Sequence, residues 1–147
     1  MVGETVITHS TTVTVVAQVD MQDPMEGFVM RKDLPGARLS LSDQCCEQEF
    51  QHDGQQCRLT VTADLPAGDH VIGFEYTSRD HGQGALWIRE LHIQGARIGL
   101  PIYRGLYHRW ETGEDFPGHL YMGWPGAWTY RLAVPAHQNN DGGIGFE

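Results

Sequence analysis

Apolar and polar residues alternate with a period of two along most of the chain, the spacing that places one side chain of each pair on a buried sheet face. Residues 4–19, ETVITHSTTVTVVAQV, are rich in β-branched Val and Thr, and 36–43, GARLSLSD, alternate cleanly. Residues 69–78, DHVIGFEYTS, are β-branched and aromatic. In 85–95, ALWIRELHIQG, Leu86, Ile88 and Glu90 alternate with Trp87, Arg89 and Leu91 before the phase shifts. Turn signals separate these runs at LPG (34–36), LPAGD (65–69), HGQG (81–84), QG (94–95), FPG (116–118) and WPG (124–126). No amphipathic helix or internal repeat interrupts the pattern, which predicts about eight to ten short strands. The expected fold is all-β: residues 1–147 as a single-domain antiparallel β-sandwich of jelly-roll type, with a closed β-barrel as the alternative.

Two turns allow a register to be written. Asp53-Gly54 is a strong two-residue hairpin signal. It pairs His52 with Gln55, Phe50 with Cys57, Gln48 with Leu59 and Cys46 with Val61, so that Cys46, Phe50, Cys57, Leu59 and Val61 share a core face. In that register Cys46 and Cys57 stand about 13 Å apart, too far for a disulfide. Cys45 points the other way, and the three cysteines read as reduced structural thiols rather than a zinc site, with an unusual disulfide as the main alternative. Around Pro125-Gly126, an L-Pro-Gly type II turn would splay a two-residue hairpin, so a three-residue loop of Trp124, Pro125 and Gly126 is expected. That loop groups Leu120, Met122, Trp128, Tyr130 and Leu132 as core and leaves Tyr121 and Trp124 outside.

Composition narrows the partners. The 147 residues carry a formal charge of −9. Residues 1–75 hold twelve acidic against four basic side chains, whereas 76–147 hold seven against six. With Lys32 the single lysine, neither nucleic acid nor an anionic membrane is an expected partner. No apolar run approaches the roughly 20 residues that cross a bilayer, and MVGETVITHS lacks the charged-then-apolar order of a secretory leader.

The side chains able to recognise a ligand concentrate late in the chain. All four tryptophans, all five tyrosines and five of the eight histidines follow residue 75. Between 95 and 128, frequent glycines and prolines predict loops, and loops carry sites. Within them Tyr107, His108, Arg109 and Trp110 are contiguous, so alternation gives each side of a strand one aromatic and one polar group. That mixture suits a sugar, whose C–H face packs on a ring while planar polar groups bond its hydroxyls. Tyr107, His108, Arg109, Trp110, Tyr121 and Trp124 are the candidate ligand residues, with Trp128 weighed beside them. Calcium needs six to eight oxygens, and HQNNDGG (137–143) offers several; Asn140 and Asp141, with Asp80, are the candidate metal ligands. The scattered His92, His108, His119 and His137 show no spacing specific to zinc or iron.

Residues 68–95, GDHVIGFEYTSRDHGQGALWIRELHIQG, resemble the late strands of calcium-dependent, xylan-binding-type carbohydrate-binding modules. Gly68, His70, Phe74, Asp80, Leu86, Ile88, Leu91, Ile93 and Gly95 follow that family's outline, with Ser78-Arg79-Asp80 where it has an Asn-Asp pair. The resemblance implies a β-sandwich, a carbohydrate partner and calcium as the cofactor. The expected function is therefore a non-catalytic carbohydrate-binding or lectin-like domain. Two alternatives stand beside it. A virion or other assembly protein would suit the long, nearly uncharged N-terminal strand if it lay at an edge, and would form a homo-oligomer. A small β-fold enzyme would need His and Glu side chains such as Glu90, His92 and His108 to converge for acid–base work; no catalytic motif is present.

Overall fold

The computed structural model describes residues 8–20, 36–51, 54–77 and 85–135. Two antiparallel sheets face each other, and among the described residues no closed barrel forms. In the first, β1 (Thr8–Asp20) lies between β4 (Gln56–Pro66) and β6 (Ala85–Ile93), and β6 also carries β7 (Ala96–Arg97) and β10 (Tyr121–Met122). The second runs in the order β3 (Gln44–Glu49), β2 (Gly36–Leu41), β5 (Gly68–Tyr76), β11 (Gly126–Val134), β8 (Leu106–Arg109) and β9 (Asp115–Pro117). The sandwich of jelly-roll type is thus the fold.

Period-two patterning decides which face is core. Val13, Val15, Ala17 and Val19 of β1 point inward with Cys57, Leu59 and Val61 of β4 and Leu86, Ile88, Leu91 and Ile93 of β6. They meet Leu39, Leu41, Ile72, Phe74, Tyr76, Trp128, Tyr130 and Leu132 from the second sheet. The outward threonines of β1 pair across the strand boundary, Thr12 with Thr62 at 2.9 Å and Thr14 with Thr60 at 2.8 Å between hydroxyls. The phase shift in ALWIRELHIQG is a β-bulge: Ala17 faces Ile88 and Val16 faces Glu90, leaving Arg89 as the extra residue. β1 is hydrogen-bonded on both sides, so its flat, uncharged run is an interior strand and not an exposed edge.

The turn signals had different outcomes. Gln94 and Gly95 both take positive φ, +54° and +81°, and close the two-residue hairpin between β6 and β7. The strands on either side of Asp53-Gly54 do not pair with each other. β3 pairs with β2, placing Cys46 opposite Leu39, while β4 pairs with β1 over eleven residues and sets Cys57 opposite Ala17. The long Val/Thr ladder outweighs a local turn preference, and Gly54 and Gln55 extend that ladder through bonds to Val19. The five residues grouped by the expected register still face the core, because the two strands oppose each other across the sandwich. All three cysteines are free thiols.

The segment around WPG is corrected in the same way. Tyr121 and Met122 pair with Trp87 and Leu86 of β6 in the first sheet, and Ile88 N–H donates to the Leu120 carbonyl at 2.8 Å. The chain then crosses at residues 123–125 to β11 in the second sheet, so the expected hairpin, with Met122 opposite Trp128 and Leu120 opposite Tyr130, does not form. The side-chain grouping survives: Met122, Trp128, Tyr130 and Leu132 are buried, and Leu120 packs against them.

Candidate functional site

The crossover at 123–125 is held by β8. Gly126 starts β11 opposite Arg109, and any Cβ there would collide with the His108 carbonyl and press on the Tyr107 ring. Glycine at 126 therefore lets the crossover sit directly on β8. Tyr107 faces inward at 1% exposure, beside Trp128. Its hydroxyl donates to the Trp124 carbonyl at 2.5 Å and accepts from the Trp124 N–H at 2.9 Å. Both backbone polar groups of Trp124 are thereby satisfied by one side chain. Burial raises the Tyr107 pKa, which keeps that hydroxyl protonated and able to donate.

Trp124 is fixed in place by two neighbours. The Arg109 guanidinium carbon lies 3.9 Å from its ring centroid, and Phe116 of β9 stacks on it at 6.2 Å. Arg109 in turn contacts Glu111 at 3.3 Å and Glu114 at 3.8 Å, while its buried Nε has no hydrogen-bond partner. Trp124 keeps 41% of its surface exposed, and Trp110 keeps 48%. The Trp110 backbone N–H bonds the Pro125 carbonyl at 3.2 Å, which ties the end of β8 to the crossover next to Trp124. His108 points to the opposite face of β8, where its Nδ1 sits 2.6 Å from Asp115 across the β8–β9 pair.

The candidate ligand residues thus divide. Tyr107, Arg109, Trp110 and Trp124 gather at one end of the second sheet, and His108 stands on its outer face. Tyr107 can reach a ligand only through Trp124, the residue it supports. Trp128 is fully buried and is core. Tyr121 belongs to a different cluster, on the outer face of the first sheet: its hydroxyl donates to Asp20 at 2.7 Å, and its ring meets Trp87 edge-on at 6.3 Å. Trp87, 41% exposed, carries the Arg89 guanidinium 4.2 Å from its centroid, and Arg89 donates to Gln18 at 3.1 Å. Sequence reasoning missed Trp87, although alternation places it outward between buried Leu86 and Ile88.

The residues an acid–base site would need do not converge. His92 pairs with Glu90 at 2.8 Å on the outer face of the first sheet, and that bond holds the Glu90 carboxyl below its ordinary pKa. His108 lies on the second sheet. Asp80, Asn140 and Asp141, the candidate calcium ligands, lie outside the described residues. Among the described residues no three His, Cys, Asp or Glu side chains come together to hold a metal, and no helix is long and apolar enough to cross a membrane. The carboxylates of the segment joining β8 to β9 are already engaged, Glu111 and Glu114 by Arg109 and Asp115 by His108. Those residues do not form a calcium cage.

Two sheets in this order, with this length, match a known architecture. The fold is shared with a carbohydrate-binding module. A solved structure of vCBM60 in its selenomethionine form, described with circular permutation as an evolutionary link between two families of calcium-dependent carbohydrate-binding modules, superposes with a TM-score of 0.53. The match covers 82% of this chain and 90% of that one at 13% identity. No protein-family model matches the sequence, and no curated protein matches it.

Proposed function

We propose that the chain is a non-catalytic carbohydrate-binding module or lectin-like domain that holds a polysaccharide or glycan by aromatic stacking and polar contacts. The sandwich it shares with vCBM60 carries the proposal, and the residues support it chemically. Trp110 and Trp124 present apolar ring surface at the crossover, where the C–H face of a pyranose can pack. Arg109 supplies a rigid, planar cation beside them, stacked on the Trp124 ring. Tyr107 positions Trp124, and His108 with Asp115 adds a polar pair on the adjoining face. Tyr121 offers a further exposed ring on the first sheet, away from this corner.

Calcium belongs to the proposal through Asp80, Asn140 and Asp141, and no contact described above depends on it. The testing experiment is a glycan array run with calcium and with chelator, followed by tryptophan fluorescence titration of any hit. Saturable binding is expected, and retention after chelation would remove calcium from the reading. Absence of binding on both arrays, with fluorescence unmoved by any saccharide, would overturn the carbohydrate assignment.

A further inference from the structure

We infer that the outer face of the first sheet is itself a binding surface, a cross-strand track for an extended, neutral polysaccharide separate from the Trp110–Trp124 corner. The inference rests on the carbohydrate-binding reading and assigns it a second place. The ladders of four strands align one residue from each: Tyr121 of β10 faces Trp87 of β6, Trp87 faces Gln18 of β1, and Gln18 faces Gln56 of β4. Neighbouring strands lie about 4.8 Å apart, so the row runs about 14 Å straight across the sheet. It begins with two exposed rings and ends with two amides.

The polar atoms along the row are set for hydroxyl groups. Gln18 Oε1 accepts from Arg89 at 3.1 Å and from Gln56 at 3.4 Å, which fixes the amide with its oxygen inward to both donors. Gln18 Nε2 is then a donor without a partner among the described residues. Asp20 gives one oxygen to Tyr121, and its other oxygen is an acceptor likewise without a partner. An unpaired donor and an unpaired acceptor two residues apart on one face suit groups that both donate and accept, as sugar hydroxyls do.

Charge selects the kind of chain. Asp20 and Arg89 are the charged groups hydrogen-bonded to the row, and they cancel; in the next rank on the same face Glu90 and Arg58 flank Val16 and offset each other as well. In a protein of net charge −9, nothing in the row would hold a polyanion against the overall repulsion. Arg89 exists at this position because the β-bulge inserts it, and its guanidinium stiffens Trp87 by covering the ring at 4.2 Å. A ring held in one orientation loses little freedom when a sugar stacks on it.

Calorimetric titration of xylo-, cello- and manno-oligosaccharides, from disaccharide to hexasaccharide, tests the track with Trp87→Ala, Gln56→Ala and Trp124→Ala. Trp87→Ala should weaken binding about tenfold, the size of one aromatic contact. Gln56→Ala, an exposed substitution at the far end, should weaken the longer oligomers and leave the disaccharide unchanged; this variant keeps the test decisive if Trp87→Ala fails to fold. Full affinity in both variants, with binding lost in Trp124→Ala, would overturn the track and leave the module reading standing. If the unaltered protein binds no oligosaccharide, the module reading itself fails and the track with it. A concentration-dependent dimer abolished by Trp87→Ala would assign the face to a second copy and overturn the inference.

Discussion

Replacing Tyr107 with phenylalanine removes one oxygen and almost nothing else, which makes it the sharpest probe of how the crossover is held. The ring would keep its place beside Phe116, 5.6 Å away, and beside Trp128. What disappears is the hydroxyl that serves both the N–H and the carbonyl of Trp124. A buried polar group deprived of its partner costs about 1–3 kcal/mol. Trp124 is half exposed, so water can reach part of what is lost, and a net cost of about 1–2 kcal/mol follows from the lower end of that range. For a domain of this length each kcal/mol moves the melting temperature by about 2–4 °C, so the drop should be roughly 2–8 °C. Differential scanning calorimetry measures it directly. The pH dependence gives an independent check. Burial raises the Tyr107 pKa, so the folded state keeps a proton that the unfolded chain releases above about pH 10, and stability falls as pH rises through that region. The phenylalanine variant should lack that alkaline loss, and the gap between the two proteins should narrow there. A melting temperature unchanged at neutral pH, together with an unchanged alkaline limb, would refute the claim that this hydroxyl tethers the crossover.

Gly105→Ala places a methyl group against the Trp128 indole, where the nearest ring atoms leave no room for it, and should cost about 1–3 kcal/mol by overpacking, read as a lower thermal midpoint. Cys57 is buried opposite Ala17, and burial pushes its thiol up to about 11. Native protein should therefore react with a thiol reagent at exposed Cys45 and spare Cys57 until it is unfolded, a difference that mass spectrometry of labelled peptides resolves. Because the folded thiol keeps its proton while the unfolded one ionises, stability should also decline between about pH 9 and 11, and Cys57→Ala should flatten that decline.

Fold class was legible because alternation is a local signal with a global meaning. The phase shift at Glu90 appears in the structure as a bulge, and Gln94-Gly95 makes the hairpin its composition suggests. Partners were less legible. Asp53-Gly54 and Trp124-Pro125-Gly126 carry turn chemistry that serves equally for a hairpin within a sheet and for a corner between sheets. Which one forms is decided by distant strands: β4 finds eleven residues of β1, and β10 completes the edge of β6. In a sandwich both outcomes bury the same alternate residues, so Cys46, Phe50 and Cys57, and likewise Met122 and Trp128, were grouped correctly even though their pairing was not.

The sites follow the same logic. Contiguity made Tyr107, His108, Arg109 and Trp110 visible as a group, but alternation on β8 then sends Tyr107 into the core and His108 to the far face, and only a residue from the crossover, Trp124, restores a cluster with Arg109. The row on the first sheet has no contiguous signature at all, since Gln18, Gln56, Trp87 and Tyr121 come from four strands spread over a hundred residues. Its one local trace is Trp87, a large apolar ring at the outward phase of a strand whose inward phase is already filled by Leu86 and Ile88. Most outward positions on this sheet are threonine, glutamine or charged, so a tryptophan there leaves ring surface in water that folding alone does not reward. A binding partner that covers that ring would recover the cost, and the cross-strand neighbours then say what chemistry the partner must bring.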